Sequence, residues 1–191
     1  MKRSRFFLIA CGMLSTVFVL YLWTRKLDTP SNRRRVSIEI ATLVRQSKDS
    51  PTDLGITNEL IRRSRSKYEF EAVAALVGLG EIGDAASSAI FDIAILMHSE
   101  NAVVRREAAR ALANLGNRSA PVMDDLALQV AKVPSDDESW FAAEALGRIG
   151  GKAKRYLPLL RAKIGTGASQ FDDSLRRAIV SIEMSTTEKE D

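Results

Sequence analysis

The sequence predicts an all-α chain: an α-α superhelix of stacked helical hairpins, led by a single transmembrane helix. Three observations carry this expectation. The segments Leu79-Gly-Glu-Ile-Gly83, Leu112-Ala-Asn-Leu-Gly116 and Leu146-Gly-Arg-Ile-Gly150 are near-copies of one helix ending, 33 and then 34 residues apart. Each follows an alanine-rich run, and a period of this length is the mark of a helical solenoid. The third observation is an uncharged apolar stretch from Phe6 to Trp23, about as long as a bilayer core requires.

At the amino terminus, Lys2, Arg3 and Arg5 form a basic tail (residues 1–5) ahead of that stretch. Its 18 residues (6–23) at about 1.5 Å each span roughly 27 Å. The exit Val19-Leu-Tyr-Leu-Trp23 is bulky where a signal peptidase needs small residues, so an anchor is expected rather than a cleaved signal. Leu8-Ile-Ala-Cys11 is similar to the lipobox of bacterial lipoproteins, which would lipidate Cys11; only about five apolar residues precede it, short for a signal. Basic residues on both sides of the span leave orientation open. Five soon after it favour a cytoplasmic repeat domain, whereas the very short basic tail reads as a signal-anchor that leaves the domain outside, the side taken here. The expected location is thus a single-pass membrane protein, with the lipid bilayer contacted through Phe6 to Trp23.

Residues 24–35 read as a linker, and residues 36–65 as a divergent helical cap. Val36 to Ser47 and Thr57 to Arg65 are its helices, with a turn at Asp49-Ser-Pro51-Thr between them. The repeats occupy 66–183. In the second copy Val103, Val104, Ala108, Ala111, Leu112 and Leu115 recur at helical spacing, and Arg105, Arg106, Glu107 and Arg110 fill the other face. Gly116, like Gly83 and Gly150, stands where a left-handed residue would end the helix. A second helix then opens in each unit: Ser87 or Ser88 is placed to cap the first, Ser119 precedes Pro121 in the next, and Pro158 starts the third. Ser135-Asp-Asp-Glu138 has the pattern of a capping box. Asp172 and Asp173 announce a last helix through Leu175 to Ile182, and residues 184–191 read as a disordered tail.

The run Val104-Arg-Arg-Glu-Ala-Ala-Arg-Ala-Leu112, followed by the glycine turn and a small residue three positions on (Ala86, Ser119, Ala153), resembles the HEAT repeat, in the HEAT-like form of the phycobilisome-lyase type. The resemblance covers about residues 66 to 183. It implies an α-α superhelix that binds protein, and it names no partner.

Charge and residue inventory narrow the function. Residues 31–191 hold 23 basic and 23 acidic residues, so the repeat domain is neutral and lacks the basic stripe that nucleic acid demands. Nucleic acid is not an expected partner. One histidine, His98, and one cysteine, Cys11, cannot assemble a Ser-His-Asp, Cys-His or histidine-rich metal set. Gly78-Leu-Gly-Glu-Ile-Gly83 matches GxGxxG literally but closes an alanine-rich helix instead of following a strand. The chain is therefore expected to be no enzyme, with no cofactor and no metal. The expected function is a membrane-anchored protein-interaction scaffold; the alternative is an accessory or chaperone-like subunit of an enzyme, in the manner of bilin-lyase HEAT proteins. Second helices line the concave side of such stacks, so Asp92, Asp125, Gln129 and Lys132 are expected to face a protein partner, with Trp140 as a separate interface anchor.

Overall fold

The computed structural model describes residues 29–50, 53–132 and 137–187. Its first helix, α1 (Pro30–Asp49), starts earlier than hydrophobic periodicity predicts. The reason is local. Thr29 is an extended N-cap whose Oγ1 accepts from the Asn32 amide at 3.3 Å, and Pro30 occupies the first turn, where no amide partner is needed. Residues 30–35, expected as linker, are thus the polar first turns of a helix whose buried stripe, Val36, Ile40 and Val44, begins later. Asp53 caps α2 (Leu54–Ser64) by accepting from the Gly55 amide at 2.8 Å.

Each repeat is then a long first helix, a seven-residue 3-10 turn and a short second helix. The first helices are α3 (Glu69–Glu81), α5 (Ala102–Leu115) and α7 (Asp137–Ile149); the second helices are α4 (Ile90–Leu96), α6 (Met123–Ala131) and α8 (Leu157–Lys163). The turns are Gly83–Ala89, Gly116–Val122 and Gly150–Tyr156. All three opening glycines have positive φ, at 61°, 57° and 72°, as the recurring helix ending requires. Ala86, Ser119 and Ala153, the small residues three positions on, are fully buried. Ser87 caps nothing: its hydroxyl donates to the Asp84 carbonyl at 2.7 Å, and α4 has no side-chain cap because it continues directly from the 3-10 turn. Ser119 likewise turns inward and donates to the Leu112 carbonyl at 2.7 Å. The last helix of the described residues, α9 (Ser169–Thr187), packs on α7 and runs through positions expected to be disordered. Residues 188–191 lie outside the described residues.

The first helices stack α3 on α5 on α7 on α9. Their shared interface is a continuous core in which Leu76, Leu79, Leu112, Leu146 and Leu175 are fully buried. Stacking is close enough to need glycine: a Cβ on Gly80 would stand 3.2 Å from the Cα of Ala111 in the next helix. Polar bonds repeat with the same period. Arg148 and Ser181 hold equivalent places and donate to the carbonyls of Ala113 (3.3 Å) and Gly147 (2.8 Å) in the preceding first helix. Lys163 Nζ donates to the Ala131 carbonyl one second helix back at 2.6 Å.

The expected transmembrane helix is a correction. Among the described residues no helix is long and apolar enough to cross a membrane. That expectation rested on 18 residues, near the lower limit for spanning a bilayer, and Phe6 to Trp23 themselves, with Cys11, lie outside the described residues. The single-pass location is corrected with it, and the lipid contact through Phe6 to Trp23 has no support among the described residues.

Candidate protein-binding face

The second helices bury Ile93, Leu126 and Leu160 at one equivalent position and expose the opposite side. On α4 the exposed side carries Phe91 and Ile95, 62% and 63% exposed, and on α6 it carries Leu128 at 62%. Ile95 and Leu128 are 33 residues apart, so they hold the same place in successive repeats. A stack that repeats at this period sets them side by side. Large apolar residues exposed at matched positions of neighbouring repeats form a patch, and such patches on folded domains mark interaction sites. The equivalent places are polar in the cap, at Asn58 and Arg62, and small on α8, at Pro158 and Ala162. The apolar part is thus confined to the middle of the array. His98 is exposed just beyond α4.

Ion pairs flank the stripe. Asp92 pairs with Arg65 at the end of α2. Asp124, at the place of Phe91 in the next repeat, accepts from Arg155 at 2.9 Å and from the Tyr156 hydroxyl at 2.5 Å. That hydroxyl contact, with Arg155 beside it, holds the Asp124 carboxyl below the usual carboxylate range, while burial and the same carboxylate push the Tyr156 hydroxyl up. Asp84 pairs with Arg118 one repeat on, and that guanidinium keeps its carboxyl ionised to lower pH. These pairs tie consecutive repeats together.

The expected site residues divide. Asp92 lies beside the stripe, half-buried and bound to Arg65. Asp125 is half-buried and Lys132 exposed at the end of α6. Gln129 is 1% exposed, a correction to its expected outward position. Its side-chain amide donates to Glu138 Oε2 at 3.0 Å, its side-chain oxygen accepts from Lys132, and its carbonyl accepts from the Ser139 hydroxyl at 3.1 Å. Glu138 is itself buried and takes Arg105 Nε on its other oxygen at 2.7 Å. Buried polar groups of this kind must be satisfied inside the fold, so Gln129 turns in and Leu128 turns out. Trp140 is half-buried against the core and stacked on Phe141, with ring centroids 5.4 Å apart and planes within 3°. Its indole nitrogen is buried without a hydrogen-bond partner. Trp140 is therefore mainly a packing residue. Phe91, Ile95 and Leu128 were missed because a polar residue was expected at each exposed place; the available signal was the 33-residue recurrence of Ile95 as Leu128.

Among the described residues no group of three or more His, Cys, Asp or Glu side chains could hold a metal ion.

Residues 104–126, from α5 into α6, match the model of the PBS lyase HEAT-like repeat, the resemblance read in the sequence. A search of curated proteins returns no significant match. Among solved structures, the chain is similar to an engineered protein, with 21% identity, a TM-score of 0.58, and coverage of 69% of this chain and 64% of that one. It is also similar to the complex of CpcE and CpcF of phycocyanin lyase from Nostoc sp. PCC7120, with 19% identity, a TM-score of 0.58, and coverage of 86% of this chain and 65% of that one. The matches thus span just under two thirds of those chains, and they establish a HEAT-like solenoid fold.

Proposed function

We propose that this chain is an accessory protein-binding subunit of an enzyme, itself without catalytic residues, and that Phe91, Ile95 and Leu128 seat the partner. The observation that supports this reading is the exposure of those three side chains on neighbouring second helices. A partner that covers them removes apolar surface from water, the main source of binding energy at such faces, worth about 25 cal/mol per Å² of apolar area. The flanking pairs Arg65 with Asp92 and Arg155 with Asp124 supply a polar rim.

Two further points favour an accessory role over a free-standing scaffold. One similar structure is a complex of two chains of a lyase, CpcE with CpcF. One histidine and one cysteine cannot assemble a Ser-His-Asp or Cys-His set, which favours this reading. In this reading the chemistry belongs to the partner, and the solenoid positions it or its substrate.

The test is co-purification of the tagged full chain from its source, followed by an assay of whatever is recovered. The reading expects one enzyme in fixed ratio, with activity that rises when the chain is added back. Recovery of no enzyme, or of one whose activity the chain leaves unchanged, would defeat it.

A further inference from the structure

The outer face of α9 differs from every first-helix face before it, and the difference is chemical. In α3, α5 and α7 the face turned toward the next first helix carries Leu76, Ala109 and Ala143 at one position and Gly80, Ala113 and Gly147 at another. The equivalent residues of α9 are Arg176 and Val180, both exposed, and no first helix of the described residues covers them. Arg177 and Met184, both exposed, complete the face beside Ser181 and Ser185.

Two features define what fits there. Val180 replaces the glycine or alanine that lets consecutive first helices touch backbone to backbone, so an incoming helix must stand at an ordinary separation of about 8–10 Å. That spacing leaves room for large side chains over Val180 and Met184. The second feature is charge. Every arginine from Arg62 to Arg161 pairs with a carboxylate. Arg176 and Arg177 have no ion pair among the described residues. Arg176 stands where the internal interfaces bury an apolar side chain, so a helix that covers it must bring a carboxylate, because a buried guanidinium without one is costly.

We propose that the outer face of α9 docks an acidic amphipathic helix of a partner protein, with Val180 and Met184 under its apolar side and Arg176 and Arg177 gripping its carboxylates. The proposal rests on the protein-binding reading above and gives that partner a second contact. A second copy of this chain is the poorer occupant. Two such faces would oppose four arginines, and Glu183, the acidic residue beside Met184, is already paired with Arg161.

The experiment uses the full chain and two labelled three-heptad helical peptides, both with leucine at a and d, one with glutamate at e and g and the other with lysine there. Fluorescence anisotropy should show the glutamate peptide binding at least about tenfold more tightly. The exposed double variant Arg176→Glu/Arg177→Glu, checked for helicity, should reverse that preference, and Val180→Asp should weaken binding of the glutamate peptide. Equal affinities, no binding of the glutamate peptide, or a preference unchanged in the double variant would overturn the proposal. So would sedimentation showing a dimer of the chain that Val180→Asp dissociates. Failure here while Ile95→Asp/Leu128→Asp still abolishes partner capture would sink this proposal alone and leave the stripe reading standing.

Discussion

A Cβ on Gly147 would lie 2.7 Å from the Cα of Ala178, so α7 and α9 meet backbone to backbone at a point where only glycine fits. Replacing Gly147 by alanine improves intrinsic helix propensity by about 1 kcal/mol, yet it forces two helices apart at a cost of about 1–3 kcal/mol. The clash is with main chain and cannot be relieved by a rotamer. Gly147→Ala is therefore expected to lower the melting temperature. The same change at Gly80, where the nearest contact is 3.2 Å, should cost less. Thermal denaturation of the two variants checks the order, and a Gly147→Ala protein more stable than the parent would contradict the packing.

Leu112 and Leu146 occupy equivalent places in α5 and α7 and are fully buried. Alanine at either should cost about 2–5 kcal/mol through lost burial and the cavity left between hairpins. Urea denaturation followed by circular dichroism measures this. A loss below about 1 kcal/mol at both would mean that the interface is not the tight stack described.

Glu138 holds Arg105 at 2.7 Å and Gln129 at 3.0 Å. Removing its carboxylate leaves both donors under a hairpin end with less to bind. Because the Arg105 side chain retains 27% exposure and can recruit water, Glu138→Leu is expected to cost about 1–3 kcal/mol, less than a fully buried broken pair. Arg105→Met in the same protein should restore part of that loss. A double-mutant cycle with no coupling would show that the Arg105–Glu138 contact does not stabilise the stack.

The sequence made the stacking legible because a repeat leaves the same marks each time: glycine where φ is positive, a small residue under the turn, leucine between hairpins. The binding face was harder to read for a physical reason. On α6 the choice between Leu128 and Gln129 as the exposed residue depends on Glu138 and Arg105, which come from two different first helices. Helical periodicity within α6 contains no information about them. The start of α1 was hidden for a similar reason, since its first turns face solvent and carry no apolar period. Trp140 could be placed on a first helix but not assigned, because its contact with Phe141 is between neighbours and its burial is set by the surrounding core.

Hydrogen bonding from Arg62, assisted by Arg63, holds the Glu59 carboxyl at about 2. A folded-state value below the unfolded one gives stability that is fully present above pH about 4.5 and is lost as pH falls toward about 2. The Glu59 side chain keeps 32% exposure and its partner Arg62 68%, so solvent screening holds the effect to about 1 kcal/mol. Stability measured against pH should fall less steeply over that window in Glu59→Gln than in the parent, whose other lowered carboxyls, Asp84 and Asp124, are shared by both proteins. Superimposable profiles would remove Glu59 from the acid response.

Capture of the co-purifying enzyme by the double variant Ile95→Asp/Leu128→Asp tests the proposed binding face most directly. Both side chains are more than 60% exposed, so the substitutions should leave the fold and melting temperature nearly unchanged. They should also weaken capture by about tenfold or more, the loss expected when central apolar contacts of an interface are removed. Undiminished capture by a folded double variant would contradict the account.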